Sequence, residues 1–527
     1  MRPQRLTRRA VLLSSATALI VAATGLRAPV LAQTPPGVLI LGQVAEPKTL
    51  DPQAATAAND FRISVNVFDG LVRFRDGTLE VEPALAHSYD ISGDGKTYTF
   101  HLREGIKFHD GSDFNAEAVK FTFERMLKKD HPYADTGPFP LAFFFSSVAS
   151  VEAPDALTAV FTLTEPYAPF LANLATPTGY IVSPAAVAQH GADFGRNPSG
   201  TGPFKFAEWR ANEMVAIEKN PDYWDGAPAS EAIVFRPITD ANTRTAEMLA
   251  GGLDIMVEVP PVTLSQFRND QYTIVEAAGA HLWFLILNCK DGAFADKRVR
   301  QAANYAVNKE ALVNNVLEGT ATVAAGPTPA AFNWAVNPDV TPYPYDPEKA
   351  RALLAEAGTP NPKITFFVTE GGSGMLDPVA MGTAIQADLA AVGFDVTIQT
   401  YEWNTFLDQV NPGLSGKADM AEMAWMTNDP DTLPYLALRA EAFPDKGGFN
   451  SGYYANPEVD ELLNRARVST DQAERAELYK KMQVIVHDDA PWLFVANWKQ
   501  NAVATAAVKG LVLQPSFLLT LKNVSKA

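Results

Sequence analysis

From His281 onward, short apolar runs alternate with helical repeats, and no other feature restricts the fold of this chain as much. A strand over Leu282 to Asn288 leads into helices from about Asp296 to Val307 and Lys309 to Leu317, and Asp346 starts another through Ala357. Strand Ile364 to Thr369, helix Leu376 to Val392 and strand Phe394 to Tyr401 follow, then a short helix to Val410 that Asn404 would cap, then strand Asp419 to Trp425 ending in an N-D-P-D turn. Helices Pro457 to Val468 and Asp471 to His487 precede a strand at Trp492 to Ala496. Strands that alternate with helices imply mostly parallel sheets. Such sheets present ligand-contacting groups at the carboxyl ends of their strands. Trp403 and Trp425, which flank the last strand-helix-strand unit, are therefore candidate pocket walls; the competing reading makes both core residues.

The first half has a different grammar. A strand at Val38 to Gln43 and a helix at Asn59 to Val67 lead to a hairpin in which Ala86 to Ser92 and Lys96 to Leu102 flank Gly93-Asp94-Gly95. Asn115 caps a helix to Lys128 with Val119, Phe123 and Met126 on one face, and Ser147 to Leu163 makes a second hairpin around Pro154-Asp155. Residues 75–197 thus read as a small inserted lobe. At Ser199-Gly200-Thr201-Gly202-Pro203 two glycines and a proline set a tight turn before strand Phe204 to Arg210, so Gly200 and Thr201 are candidate backbone contacts for a ligand. A hairpin through Met214 to Lys219, helix Asn242 to Ala250 and strand Asp254 to Val259 complete this body, and the tail from about Gln500 to Ala527 is expected to return to it.

Arg8-Arg9, an uncharged run from Ala10 to Leu26 and the small-residue site Val30-Leu31-Ala32 form an export signal of twin-arginine type, cut before Gln33. Its removal takes away five arginines and no acid, moving the formal charge from -17 to about -22. A chain this acidic does not bind nucleic acid or anionic lipid through a general field. Cys289 is the only cysteine, so an exported protein of about 495 residues must be held by its core rather than by disulfides.

Catalytic and metal signatures come close and then fail. Asp90, Ser92, Asp94 and Gly95 imitate the start of a calcium loop whose twelfth position is His101 rather than glutamate. Gly95-Lys96-Thr97 lacks the leading glycine of a phosphate loop, and Gly371-Gly372-Ser373-Gly374-Met375 lacks the last glycine of a nucleophile elbow. The seven histidines are scattered singly and the lone thiol cannot complete a zinc site. No cofactor and no resident metal are expected. Glu422 stands among Met420, Ala421, Met423 and Ala424, where a carboxylate must reach water or a positive partner; a cationic ligand group and a solvent-facing position both satisfy that.

Five stretches carry a family resemblance: P-A-L-A-H-S-Y-D-I-S-G-D-G-K-T-Y-T-F-H-L-R-E-G-I-K-F-H-D-G (Pro83 to Gly111), S-G-T-G-P-F (Ser199 to Phe204), K-N-P-D-Y-W (Lys219 to Trp224), D-K-R-V-R-Q-A-A-N-Y-A-V (Asp296 to Val307) and Y-A-N-P-E-V-D-E-L-L (Tyr454 to Leu463). In order and spacing they resemble the extracellular solute-binding proteins of family 5, the dipeptide, oligopeptide and nickel type components of ABC importers. The resemblance implies an α/β, two-lobed periplasmic binding protein fold of type II with an extra inserted subdomain and a hinged cleft. On that pattern lobe I takes residues 33–74, 198–281 and 500–527, the inserted subdomain 75–197 and lobe II 282–499. It also implies a monomer that encloses a small-molecule or short-peptide ligand and docks on membrane permease subunits.

In peptide-binding relatives an aspartate three residues after the tryptophan matching Trp425 receives the peptide's free amine. That position is Asn428 here, which leaves Asp429 as the nearest carboxylate. Trp403 matches the E-W-x-T-F-L pattern of oligopeptide binders, whereas Glu422 replaces a basic residue of one such relative. Trp334, in the proline-rich loop from Gly319 to Pro344, completes the candidate ligand set. A peptide or related amine-bearing solute is the leading expectation, a nickel or other metal chelate the second, and an exported hydrolase the third.

Overall fold

The computed structural model describes residues 37–371 and 375–526. The expected export signal, residues 1–32, and residues 372–374 of the Gly371–Met375 stretch lie outside the described residues.

The chain begins with β1 (Val38–Gln43) and α1 (Ala58–Val67) and then leaves the first body to build a separate four-stranded antiparallel sheet. Its strands are β2 (Ala86–Ile91), β3 (Thr97–Leu102), β4 (Val148–Asp155) and β5 (Thr158–Leu163), in the order β2-β3-β5-β4, with α2 (Ala116–Leu127) packed against them. Gly95, at φ +68°, closes the first hairpin as expected. The second turns at Ala156-Leu157 rather than at Pro154-Asp155, because the Asp155 carboxylate accepts the Leu157 N–H at 2.8 Å and pulls the turn forward. Asn115 caps α2 by accepting the Ala118 N–H at 3.1 Å. Phe123 of that helix meets Phe161 edge to face at 4.8 Å, and Tyr98 meets Phe170 at 4.7 Å.

The first body resumes with β6 (Phe204–Arg210), β7 (Met214–Lys219), β8 (Ala232–Pro237), β9 (Ile255–Val257) and β10 (Tyr272–Ala278). The second contains β11 (His281–Leu287), α3 (Lys297–Ala306), β12 (Ala321–Val323), α4 (Pro347–Glu356), β13 (Lys363–Thr369), α5 (Pro378–Ala391) and β14 (Asp395–Tyr401). After these come α6 (Trp403–Val410), β15 (Met420–Met426), α7 (Thr432–Ala437), α8 (Pro457–Val468), α9 (Gln472–Asp489) and the long β16 (Trp492–Thr505). Glu402, not Asn404, caps α6, its carboxylate accepting the N–H groups of Asn404 and Thr405 at 2.9 and 3.3 Å.

One twelve-stranded sheet runs through both bodies in the order β14-β13-β15-β11-β16-β9-β1-β8-β7-β6, with β10 and β12 also pairing with β16. Parallel pairs join β1 to β8 and β9, and β13 to β14 and β15; every other described pairing in it is antiparallel. The expectation of mostly parallel sheets is thus corrected to a mixed sheet. Strand-helix alternation governs only part of each body, while hairpins and the strands that cross between bodies reverse direction.

β16 is the main crossing strand. Its first residues pair with β11 through Trp492–Ala496, and its last pair with β9 and β10 through Lys499–Thr505. Beside it, Gly279-Ala280 carries the chain from β10 to β11. A side chain at Gly279 would stand 2.7 Å from the Trp498 carbonyl oxygen, which instead accepts the Gly279 N–H at 3.0 Å. Two adjacent strands passing between lobes form a hinge. The inserted sheet shares one continuous hydrophobic core with the first body, from Leu39 through Phe100 to Val524. In the second lobe separate cores lie on the two faces of the sheet.

Candidate functional site

Between the lobes lies a cavity of about 1040 Å³ with walls from all three parts of the chain. The inserted sheet contributes Tyr89 and Tyr98, β10 contributes Glu276 and Ala278, and the second lobe contributes Trp334, Asn428, Asp429 and Arg475. Of the residues expected to touch a ligand, the structure therefore brings Trp334, Asn428 and Asp429 to one cavity.

Asp429 is buried at the start of the turn that follows β15, and its carboxylate is already engaged. Oδ1 accepts from Arg475 Nη2 at 2.5 Å and from the Asp431 N–H at 2.9 Å. Arg475 also donates to the Tyr479 hydroxyl at 3.1 Å and stands 5.3 Å from the Trp334 ring centroid. Burial alone would lower the Arg475 pKa, but Asp429 and Tyr479 raise it above the usual arginine value, so the guanidinium is fixed as a cation. One turn further on, Arg467 Nη1 lies 2.5 Å from Asp431 Oδ2. Its guanidinium packs over Tyr435 at 3.7 Å and over Tyr167 of the inserted subdomain at 4.5 Å. Burial pushes Asp431 up to about 6, with Arg467 opposing the shift. The N-D-P-D turn is thus a corner of two acid–arginine pairs, one on the cavity wall and one at the contact between lobes.

Arg475 was missed by sequence reasoning, although a signal exists. Arg475, Tyr479, Met482 and Val486 follow helical spacing on the buried face of α9. An arginine in an apolar stripe requires a buried acid, and Asp429 and Asp431 are the acids nearest to a sharp polar turn.

The remaining candidates lie elsewhere. Trp403 and Trp425 do not line the cavity: Trp403 is half-buried and stacks on Phe406 at 5.9 Å, and Trp425 meets Phe449 edge to face at 5.4 Å beside Met423 and Phe284. Both serve packing around α6 and β15. Glu422 is fully buried on the other face of β15, where Oε1 accepts the Thr369 N–H at 2.8 Å and Oε2 has no protein partner among the described residues. Burial raises its pKa well above the usual carboxylate value, against the single Thr369 hydrogen bond that lowers it. That corrects both sequence readings of Glu422, as the partner of a cationic ligand and as a solvent-facing residue.

Gly200 and Thr201 belong to the scaffold. The Thr201 hydroxyl, the Tyr223 hydroxyl and Trp224 Nε1 all donate to the Asp69 carboxylate, at 2.9, 2.8 and 3.0 Å. Side chains at Gly200 and Gly202 would lie 2.2 and 2.5 Å from the Val67 backbone, so the glycines permit close approach to α1. His109 joins the same knot, its N–H donating to the Gly200 carbonyl and Nε2 donating to that of Gly202, both at 2.9 Å. Burial lowers His109 to about 4, which keeps it neutral for that bond. Among the described residues no three His, Cys, Asp or Glu side chains converge as metal ligands.

Two lobes joined by crossing strands around a cavity of this size define a cleft-type solute-binding protein. Comparison with known proteins makes the class specific: residues 80–444 match the model of the bacterial extracellular solute-binding proteins, family 5 middle region, and the chain belongs to that family. It is 36% identical over 474 residues to heme-binding protein A of Haemophilus influenzae, covering 86% of this chain and 85% of that one. The structure of HbpA2 from Haemophilus parasuis superposes with a TM-score of 0.86 at 31% identity, over 93% of this chain and 100% of the other. The periplasmic binding protein DppA from Helicobacter pylori, solved with the peptide STSA, matches at TM-score 0.77 and 33% identity, over 93% and 98% of the two chains. The fold is thus the two-lobed α/β architecture of periplasmic binding proteins, as the motifs implied. No helix among the described residues is long and apolar enough to cross a membrane.

Proposed function

We propose that this chain is the periplasmic component of an ABC importer that captures a short peptide, or a related amine-bearing solute, in the interlobe cleft and hands it to membrane permease subunits. The observation that carries the reading is the cavity itself. Its 1040 Å³ lies just above the range of about 300–1,000 Å³ for small-molecule sites, enough for a short peptide with bridging water. Apolar and aromatic walls receive side chains of varied shape, and the mutually paired Asp429 and Arg475 set a polar, charge-balanced corner among them.

A ligand that touches both lobes favours the closed state by its differential contacts. Shifting mostly open to mostly closed takes about 5.5 kcal/mol of such preference. The division into lobe I, inserted subdomain and lobe II serves this motion, with Gly279-Ala280 and Asn497-Trp498 as the hinge. Export through the twin-arginine route with cleavage before Gln33 places a monomer in the periplasm, where it meets its permease.

Native mass spectrometry of the protein purified from its exported form, followed by denaturation, tests the reading. A released series of short peptides is expected. A single metal chelate or an uncharged solute in their place would overturn the peptide assignment.

A further inference from the structure

Among the described residues three carboxylates reach the cavity wall, and two of them are taken. Glu80 is held by Arg75 at 2.5 Å, and Asp429 by Arg475 at 2.5 Å. Glu276 is exposed on β10 and enters no ion pair among the described residues. Arg475 is the only cationic side chain on the described wall, and its charge is spent on Asp429. A ligand ammonium entering this cleft therefore finds one uncompensated carboxylate, and it lies on the first lobe.

The backbone around Glu276 points the same way. Among the described residues β10 pairs with β16 alone, so no other strand pairs with its outer edge. Hydrogen bonds from the Ala506 N–H to the Gln271 carbonyl at 2.8 Å and from the Gly279 N–H to the Trp498 carbonyl at 3.0 Å bracket the ladder. With the register Tyr272↔Thr505 to Ala278↔Lys499, Thr273, Val275 and Ala277 turn their amide groups toward β16. Ile274, Glu276 and Ala278 then turn theirs outward. Four consecutive residues, Val275 to Ala278, line the cavity, as expected of a strand presented by its edge, since a face would expose only alternate residues.

We propose that Glu276 is the residue that determines specificity for the ligand's ammonium group, with the outward carbonyls of β10 completing its shell. An ammonium has three N–H donors, and a carboxylate beside the outer strand edge supplies the acceptors for all of them. Closure over the site removes water and strengthens the charge-assisted hydrogen bond. This inference rests on the peptide reading above.

The test is calorimetric titration of the mature protein, stripped of bound solute, with trialanine and with N-acetyl-trialanine, repeated on Glu276→Gln. Wild type is expected to prefer trialanine by tenfold or more, and Glu276→Gln to lose that preference by weakening trialanine alone at unchanged thermal stability. A preference retained in Glu276→Gln, or absent from wild type while both peptides bind, overturns the role of Glu276 and leaves the peptide reading standing. Failure of wild type to bind either peptide overturns both.

Discussion

Asp69 and Asp429 are both buried aspartates at the junctions of elements, yet the molecule uses them in opposite ways. Asp69 collects three neutral side-chain donors from segments more than 130 residues away in sequence and does not line the interlobe cavity. Asp429 is matched by one cation and lies on the cavity wall. The first arrangement ties α1 to the S-G-T-G-P-F and K-N-P-D-Y-W stretches. A second knot of the same kind forms at Asp489, where Tyr454 and Asn456 donate to Oδ2 at 2.7 and 2.8 Å and Arg300 donates to the backbone carbonyl at 2.9 Å. All five stretches that carry the family resemblance thus feed knots of scaffold, whereas the cleft wall, apart from Tyr89, Ile91 and Tyr98 of the first stretch, comes from residues outside them. The motifs identify the frame, and most of the cleft wall is built by the segments between.

Breaking the Asp69 knot should produce the largest effect. Asp69→Ala leaves Thr201, Tyr223 and Trp224 as buried donors without their acceptor, at about 1–3 kcal/mol each before relaxation. A net loss of about 4 kcal/mol in urea unfolding is expected, with ligand affinity of the folded fraction unchanged. Arg475→Met should come next, at about 3 kcal/mol, because it strands the Asp429 charge in a buried site. Here affinity falls together with stability. Combining it with Asp429→Asn should restore much of the stability, a coupling that an additive pair would not show.

Glu422 sharpens the contrast, as a buried carboxylate with a single donor. Its folded-state pKa is raised, so the native protein keeps a proton that the unfolded chain releases above about pH 4.5. Its contribution is fully present below that pH and is lost as pH rises toward the folded value, at up to about 1.4 kcal/mol per pH unit. Glu422→Gln should remove that slope and raise the melting temperature near pH 8, while leaving stability near pH 4 almost unaltered. The smallest effect belongs to Thr201→Val, which removes one of the three donors to Asp69 and should cost about 1 kcal/mol with no change in binding. A marked loss of affinity in that variant would move Thr201 back to the ligand.

Much of the frame was legible because periodicity is local. The Gly93-Asp94-Gly95 hairpin, the Asn115 cap, the helix starts at Asp346 and Asp471 and most strands of the second lobe follow from spacing and turn chemistry. β8 and β10 were missed, and β16 was read only to Ala496. Its continuation carries Lys499, Gln500 and Asn501, polar residues that hide the strand pattern. Gln500 donates to the Gln514 carbonyl, and Asn501 bonds both the N–H and the carbonyl of Val259. Those side chains are polar because they sew crossing strands together, a requirement that no local repeat records.

The cleft was less legible for a related reason. An indole beside a strand end reads alike whether it faces solvent, ligand or core, and Trp403 and Trp425 turned out to pack. Gly200 and Thr201 signalled close backbone approach correctly, but the partner is α1. Trp334, Asn428 and Asp429 reached the cavity, yet the arginine that neutralises Asp429 lies 46 residues away.

Hydrogen–deuterium exchange with and without trialanine compares the two regions in one experiment. Ligand-induced protection is expected at residues 275–278, 331–334 and 428–430, with none at 199–204 or 219–224. Protection confined to the Asp69 knot, or absent from all three cleft segments under saturating peptide, would contradict the assignment of ligand binding to the interlobe cleft.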